Sequence, residues 1–245
     1  MKRVVKKIAF CLAALLLIAD ISYAALDDIV IYDSIPSRKP MTDITDSVNA
    51  GYSPLAKIYG ENKEIPAGYE KQILYALSFF PELVHTKIIF KIQKSTVGII
   101  STRPFTSSLL RRSTRRSYLV VINDSTEGRR MPTWLRGDVN GQVGILGHEL
   151  CHIIYFSKQT GLGLLGLGIA HISTSYMDHF ENKTDSMDIE RGLGYQLIAW
   201  NQYLQENFKQ MRPADFPSFV TSATRERYMS IEHIRKVMAN SKVYQ

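Results

Sequence analysis

The stretch VNGQVGILGHELCHIIYFSK, residues 139 to 158, constrains the fold most, because its apolar and polar residues separate cleanly at only one backbone period. At about 100° per residue, Val143, Leu146, Leu150, Ile153 and Ile154 gather on one side of a helix, while His148 and His152 fall on the other. Asp138 or Asn140 supplies an N-cap for that helix. Glu149 projects between the two faces, roughly 60° to 100° from the histidines. A chain holding such a helix must bury one side in a core and keep two imidazoles, one turn apart, on the other. Two imidazoles so spaced can reach a single metal ion, and a carboxylate beside them can hydrogen-bond a water on that ion. Gly141 and Gly144 fall near the histidine face, which predicts a helix flanking an open cleft.

The strand signals precede this helix. TKIIFKIQ alternates, with Ile88, Phe90 and Ile92 on one side and Lys87, Lys91 and Gln93 on the other, the pattern of a half-exposed strand. TVGIIST and YLVVIND read as two more strands. Before them, GYEKQILYALSFFPELV sets Ile73, Leu77 and Phe80 at helical spacing, with Pro81 as a stop. Residues 25 to 66 lack sustained periodicity and are rich in turn formers, so an extended N-terminal arm is expected there, followed by one domain over residues 67 to 245.

The first 24 residues run from MKRVVKK through a short apolar stretch to Ser22 and Ala24, the order of a secretory signal peptide cleaved after Ala24. The product is expected to be secreted or periplasmic, or membrane-anchored if the segment stays attached. Cys11 lies inside it, preceded by Phe10, which does not suit a lipid-anchor site. Of the 30 Lys and Arg four belong to this stretch, and of the 23 Asp and Glu one, which leaves a net charge of +4. That mild excess does not indicate a nucleic-acid partner. Cys151 then has no cysteine to pair with, and a small buried thiol is expected there, although it borders the histidine face and could bind metal.

Arginines cluster in RPFTSSLLRRSTRRS, at Arg103, Arg111, Arg112, Arg115 and Arg116, read as a solvated loop or, more sharply, as a surface for an acidic partner or a processing site. The tripeptide Arg136, Gly137, Asp138 is too short to carry a role. Asn123 and Asn182 begin glycosylation sequons, relevant only in a eukaryotic secretory route.

A third metal ligand has to come from beyond the helix. Tyr155 and Lys158 occupy the positions where one large zinc-peptidase class places Gly and a third His, so that pattern is absent. In DHFENKTDSMDIERGLGYQLIAWNQYLQENF, Leu193, Leu197, Trp200 and Leu204 form the apolar stripe of a long helix, and Glu181 and Asp185 share a face about 100° away. Glu181 could ligate the ion, and Asp185 could accept the second ring N–H of a ligand histidine. His171, Asp178 and His179 are rival ligands lacking a paired carboxylate. Asp188 and Gly192 lie on the Glu181 stripe, Asp188 as a solvated charge or a further outer partner, Gly192 as a point of close helix approach. Tyr176, His179, Arg191 and Tyr195 are candidates for stabilising a transition state. Ser230 caps a last helix bearing Ile231, Ile234, Val237 and Met238, in which His233 is structural.

HELCH at 148 to 152 with ENKTD at 181 to 185 resembles the gluzincins, zinc peptidases with a thermolysin-like site in which H-E-x-x-H is joined by E-x-x-x-D on a later helix; HFENKTD is similar to bacterial periplasmic or membrane-associated members. The resemblance covers about 60 residues. It implies one Zn2+ ion held by His148, His152 and Glu181, Glu149 as the general base, and Asp185 as the outer partner. It also implies an α+β, zincin-like fold: a small mixed sheet against the H-E-x-x-H helix, then a mainly helical C-terminal part. YLVVIND would be the strand nearest the cleft, pairing with an extended peptide or protein substrate. The other reading keeps the metal without the chemistry, as a zinc-binding module that docks partners or acts like a chaperone. Between the motifs, GLGLLGLGIA is apolar, glycine-rich and too short to span a bilayer. Its glycines disfavour a helix, so a buried loop or an apolar lid is expected, with membrane-surface contact through residues 161 to 172 as one use of it.

Overall fold

A computed structural model describes residues 39–50, 52–94, 98–109, 111–124, 132–170, 173–210 and 228–245, without the side chains of 168–170. The signal-peptide reading of residues 1–24, the first part of the arm and His171 lie outside these residues.

The protein is α+β. Four strands, β1 (Lys63–Glu64), β2 (Lys87–Gln93), β3 (Ile100–Pro104) and β4 (Ser117–Asn123), form a mixed sheet in the order β1-β2-β4-β3. β2 runs parallel to β1 and β4, with Phe90 opposite Val120, and β3 runs antiparallel to β4, with Thr102 opposite Val120. The expected alternation in β2 is present: Ile88 and Phe90 are buried while Lys87 and Lys91 are exposed. Tyr118, Val120 and Ile122 turn from β4 to the same core. β4 therefore has neighbours on both sides. The edge strands are β1 and β3, and the substrate-pairing role expected of YLVVIND does not suit β4, because a central strand has no unpaired backbone edge to offer.

The long helix over residues 139–158, α4 (Val139–Lys158), lies against this sheet, with Val143, Leu146, Leu150, Ile153 and Ile154 in the main core. Each such side chain contributes roughly 2 kcal/mol by leaving water. Asp138 is the N-cap, accepting the Gly141 N–H at 2.7 Å. Asn140 instead joins separate parts of the chain, accepting the Ile44 N–H at 3.1 Å and the Gln196 side-chain amide at 3.2 Å.

That contact ties down a segment expected to be extended. Residues 45–59 hold two helices, α1 (Thr45–Ala50) and α2 (Tyr52–Tyr59), which deliver Ile44, Val48 and Leu55 to the core beside α3 (Glu70–Leu77). Helices this short give little periodic signal, and tertiary burial rather than intrinsic propensity holds them.

The apolar glycine-rich segment is also helical, contrary to the loop or lid expected. Thr160 starts α5 (Gly161–Ala170) by accepting the Gly163 N–H at 3.0 Å, and Leu164 and Leu167 bury one side of it. Packing of that pair outweighs the cost of the glycines.

The second motif occupies α6 (Thr174–Asp188), which a π-helical turn, Ile189–Leu193, separates from α7 (Gly194–Lys209). Gly192 sits in that turn at φ 93°, a left-handed conformation that favours glycine. Its role is therefore to break the helix. The close approach expected of Gly192 occurs instead at Gly144 and Gly147, where an added Cβ would collide with the Gln196 backbone and the Asp188 carboxyl. Gly141 and Gly144, expected beside an open cleft, instead seat α4 on α7, where an added Cβ would meet the backbones of Trp200 and Gln196.

The turn is braced by buried Arg191, which donates to the Phe79 carbonyl at 2.8 Å, pairs with Glu82 and lies 4.2 Å over the Phe80 ring. Ser230 caps α8 (Ile231–Asn240), as expected, by accepting the His233 N–H. Beyond α8, the Tyr244 hydroxyl accepts the Gly194 N–H at 2.7 Å and donates to the Ile189 carbonyl at 2.9 Å, clasping the helix break.

Candidate metal centre

Two helices build the centre. α4 presents His148 and His152 one turn apart, with ring centroids 4.7 Å apart and planes at 89°. α6 presents Glu181, whose Oε2 lies 3.0 Å from His148 Nε2 and 3.4 Å from His152 Nε2. One ligand atom from each of the three lies within 4.8 Å of the others, and all three residues are buried. This group could hold a metal ion.

Each imidazole is turned by a second partner. His148 Nδ1 faces Asp185 Oδ1 at 2.7 Å, and Asp185 Oδ2 accepts the Met229 backbone N–H at 2.8 Å. His152 Nδ1 lies 3.4 Å from the Thr184 hydroxyl, which donates its own proton to the Phe180 carbonyl at 2.9 Å and so can accept from the ring. Both rings then direct Nε2 at Glu181. Phe156 and Phe180 stack on His152, with interplanar angles of 16° and 20°.

Burial alone would push the His148 imidazole down, but the carboxylates of Asp185 and Glu181 outweigh it and hold the ring well above its ordinary range. Burial would likewise raise the Glu181 carboxyl, and the two histidines instead hold it well below the usual carboxylate range. An imidazole that retains its proton between two carboxylates marks a place where negative charge exceeds what the protein itself neutralises. A divalent cation bound there would replace that proton.

Glu149 is 5 % exposed, and its Oε2 has no hydrogen-bond partner among the described residues. A buried carboxylate oxygen without a donor leaves a site for a water or a reacting group.

The sequence candidates sort cleanly. His148, His152, Glu181 and Asp185 come together, and Glu149 follows His148 on the same helix. Of the proposed transition-state groups, Arg191 is committed to the helix break, Tyr195 packs on Tyr244 at 5.7 Å, Tyr176 is buried against Phe180, and His179 is exposed. Cys151 is a buried free thiol, raised by burial and the nearby Asp188. Asp188 is neither solvated nor hydrogen-bonded to a ligand: it is fully buried, and neither carboxyl oxygen has a hydrogen bond among the described residues.

Three participants escape a reading of the sequence. Thr184 lies inside ENKTD, but a hydroxyl between two carboxylates draws no notice when the search is for charged partners. Tyr228, whose ring lies 5.7 Å from that of His148, and Met229 arrive from a segment far along the chain, and no local spacing links them to the site.

No protein-family model, no curated protein and no solved structure matches this chain.

Proposed function

We propose that the protein is a zinc-dependent peptidase of the gluzincin type, with a zincin-like arrangement of sheet and motif helix. The observation that carries this reading is the convergence of His148, His152 and Glu181, with Glu149 next to His148 in the chain and its buried Oε2 without a hydrogen-bond partner among the described residues. Zinc takes nitrogen and oxygen donors at about 2.0–2.2 Å in tetrahedral array, so its ligand atoms stand about 3.3 Å apart. The two separations to Glu181, 3.0 and 3.4 Å, fit that spacing.

Zinc in such a site supplies Lewis acidity, which polarises a carbonyl and brings the pKa of water near neutrality. The chain's own groups do the rest. His148, His152 and Glu181 bind the ion, while Asp185 and Thr184 orient the imidazoles. Glu149 takes the proton from the attacking water and returns it to the leaving amine. An extended peptide adds to the outer edge of β3, which pairs with no other strand among the described residues. Tyr228 borders the site on the side of the C-terminal segment. The leader-like N-terminus supports action outside the cytoplasm.

The test is Glu149→Gln, assayed on a mixed peptide library with and without a chelator and paired with metal analysis. Wild-type cleavage should disappear with chelator, and the variant should retain zinc while losing on the order of 1,000-fold in turnover. Unchanged turnover would remove Glu149 from the role. Bound zinc with no chelator-sensitive cleavage would favour the non-catalytic binding module, and no bound metal would remove both readings.

A further inference from the structure

Helix α5 breaks the rule that a helix apolar on every side is buried. It carries only Gly, Leu, Ile and Ala, yet Leu162 is 67 % exposed and Leu165 51 %. Leu164 and Leu167 already supply the side that packs on the core, so the exposed pair is a second apolar face.

A cationic turn stands next to it. Arg116 is 4 % exposed and is not part of a solvated loop: its Nη1 donates to the Phe156 carbonyl at 3.0 Å and the Gln159 carbonyl at 2.6 Å, capping the C-terminus of α4. The same guanidinium donates through Nε to the Arg111 carbonyl at 3.2 Å, so the turn carrying exposed Arg111, Arg112 and Arg115 is fixed to the end of α4. Leu162 follows Gln159 by three residues, which bounds its Cα to within about 11 Å of that of Gln159. Lys158 is exposed at the same end. No acidic residue occurs between Leu83 and Asn123, or between Leu150 and Met177, so nothing from these segments neutralises the patch.

We infer that the exposed face of α5 and the arginine turn together form a docking surface for an anionic phospholipid bilayer. Leu162 and Leu165 enter the boundary between headgroups and acyl chains, and Arg111, Arg112 and Arg115 contact lipid phosphates. A peripheral helix usually carries its own cations; here the neighbouring turn brings them, locked in place by Arg116. The surface is independent of peptide hydrolysis. Its occupant is assigned from charge: a solely apolar partner would not account for three exposed arginines beside the leucines.

The test uses the full chain with Leu162→Cys, labelled with an environment-sensitive fluorophore in a Cys11→Ser background; Cys151 is buried and stays unlabelled. Leu165→Cys is a second labelled position, which guards against a local defect at the first. The N-terminal apolar stretch is present in every sample and cannot by itself move a probe at residue 162. Vesicles of phosphatidylcholine with phosphatidylglycerol should shift the emission to the blue, and spin-labelled lipid should quench it. High salt should reverse the shift, and Arg111→Ser, Arg112→Ser and Arg115→Ser together should weaken the interaction on the order of 100-fold. An unchanged probe at both positions would overturn the inference. An equal response to phosphatidylcholine alone would do the same, as would a shift that grows with protein concentration without lipid and so points to a second copy.

Discussion

Glu181, Asp185 and Asp188 stand on successive turns of α6 and are all buried, yet the first two are hydrogen-bonded to His148 and neither oxygen of the third has a hydrogen bond among the described residues. The difference lies in what α4 presents to each. His148 faces Glu181 and Asp185. At the level of Asp188 the residue is Gly147, and the Asp188 carboxyl fills the space a side chain there would need. The consequences for protonation are opposite. The histidines hold Glu181 well below the usual carboxylate range, while burial pushes Asp188 well above it, assisted by Asp185 and opposed by His148 and Arg191. One helix thus carries carboxylates suited to holding a cation and a carboxyl suited to remaining neutral, and the partner across the interface decides which.

Removing Glu181 should break this contrast most severely. Structural zinc sites are worth about 10–16 kcal/mol over four ligands, so Glu181→Ala should cost about 3 kcal/mol, a loss of roughly 150-fold in zinc affinity, read by competition with a chromophoric chelator. An unchanged affinity would take Glu181 out of the ligand set.

Asp185→Asn comes next, at about 10–100-fold in affinity. Its amide can offer an oxygen to His148 Nδ1 or to the Met229 N–H, but not to both. One donor is stranded, or the ring takes the wrong tautomer. A second readout separates this from general damage. His148 is held protonated above its ordinary pKa, so metal entry must expel a proton, and affinity should rise with pH until that raised pKa is passed. With Asp185 neutral, the ring loses part of the attraction that raised it. Titration calorimetry in two buffers of different ionisation enthalpy should then register fewer protons released per zinc near neutral pH. An unchanged proton count would mean that Asp185 does not set the charge of His148.

Legibility followed periodicity. The strand over 87–93 and the helix with opposed core and histidine faces could be read because each pattern repeats at one backbone period over several residues. Glu181 and Asp185 were legible for the same reason, as one turn of one helix. What the chain brings in from a distance was not. Strand order depends on β3 folding back beside β4, which no local pattern records, so the central strand reads as the one beside the cleft. Gly192 and Gly144 look alike in sequence; only the φ of the first and the α7 backbone against the second distinguish a helix break from a helix contact. Arg116 reads as one basic residue among several until the α4 terminus it caps is known.

The smallest expected effect is also the sharpest test of the contrast, because it should stabilise. Burial holds the Asp188 carboxyl well above its ordinary range in the folded protein, whereas in the unfolded chain it ionises above about pH 3.9. Its folded pKa is raised, so whatever it contributes to stability is fully present below the unfolded value and is lost as pH rises toward the folded one. Asp188→Asn keeps the shape and abolishes the titration. It leaves a polar group without partners, so part of the burial cost remains. We expect a gain of about 1 kcal/mol near neutral pH, shrinking toward zero in acid, measured by urea unfolding of the metal-free protein at several pH values. A gain that instead grew as pH fell would reverse the sign of the linkage and place a charged, partnered carboxylate at position 188. A loss at every pH would mean that the carboxyl contributes an interaction the amide cannot make, and the opposition between adjacent turns of α6 would fail.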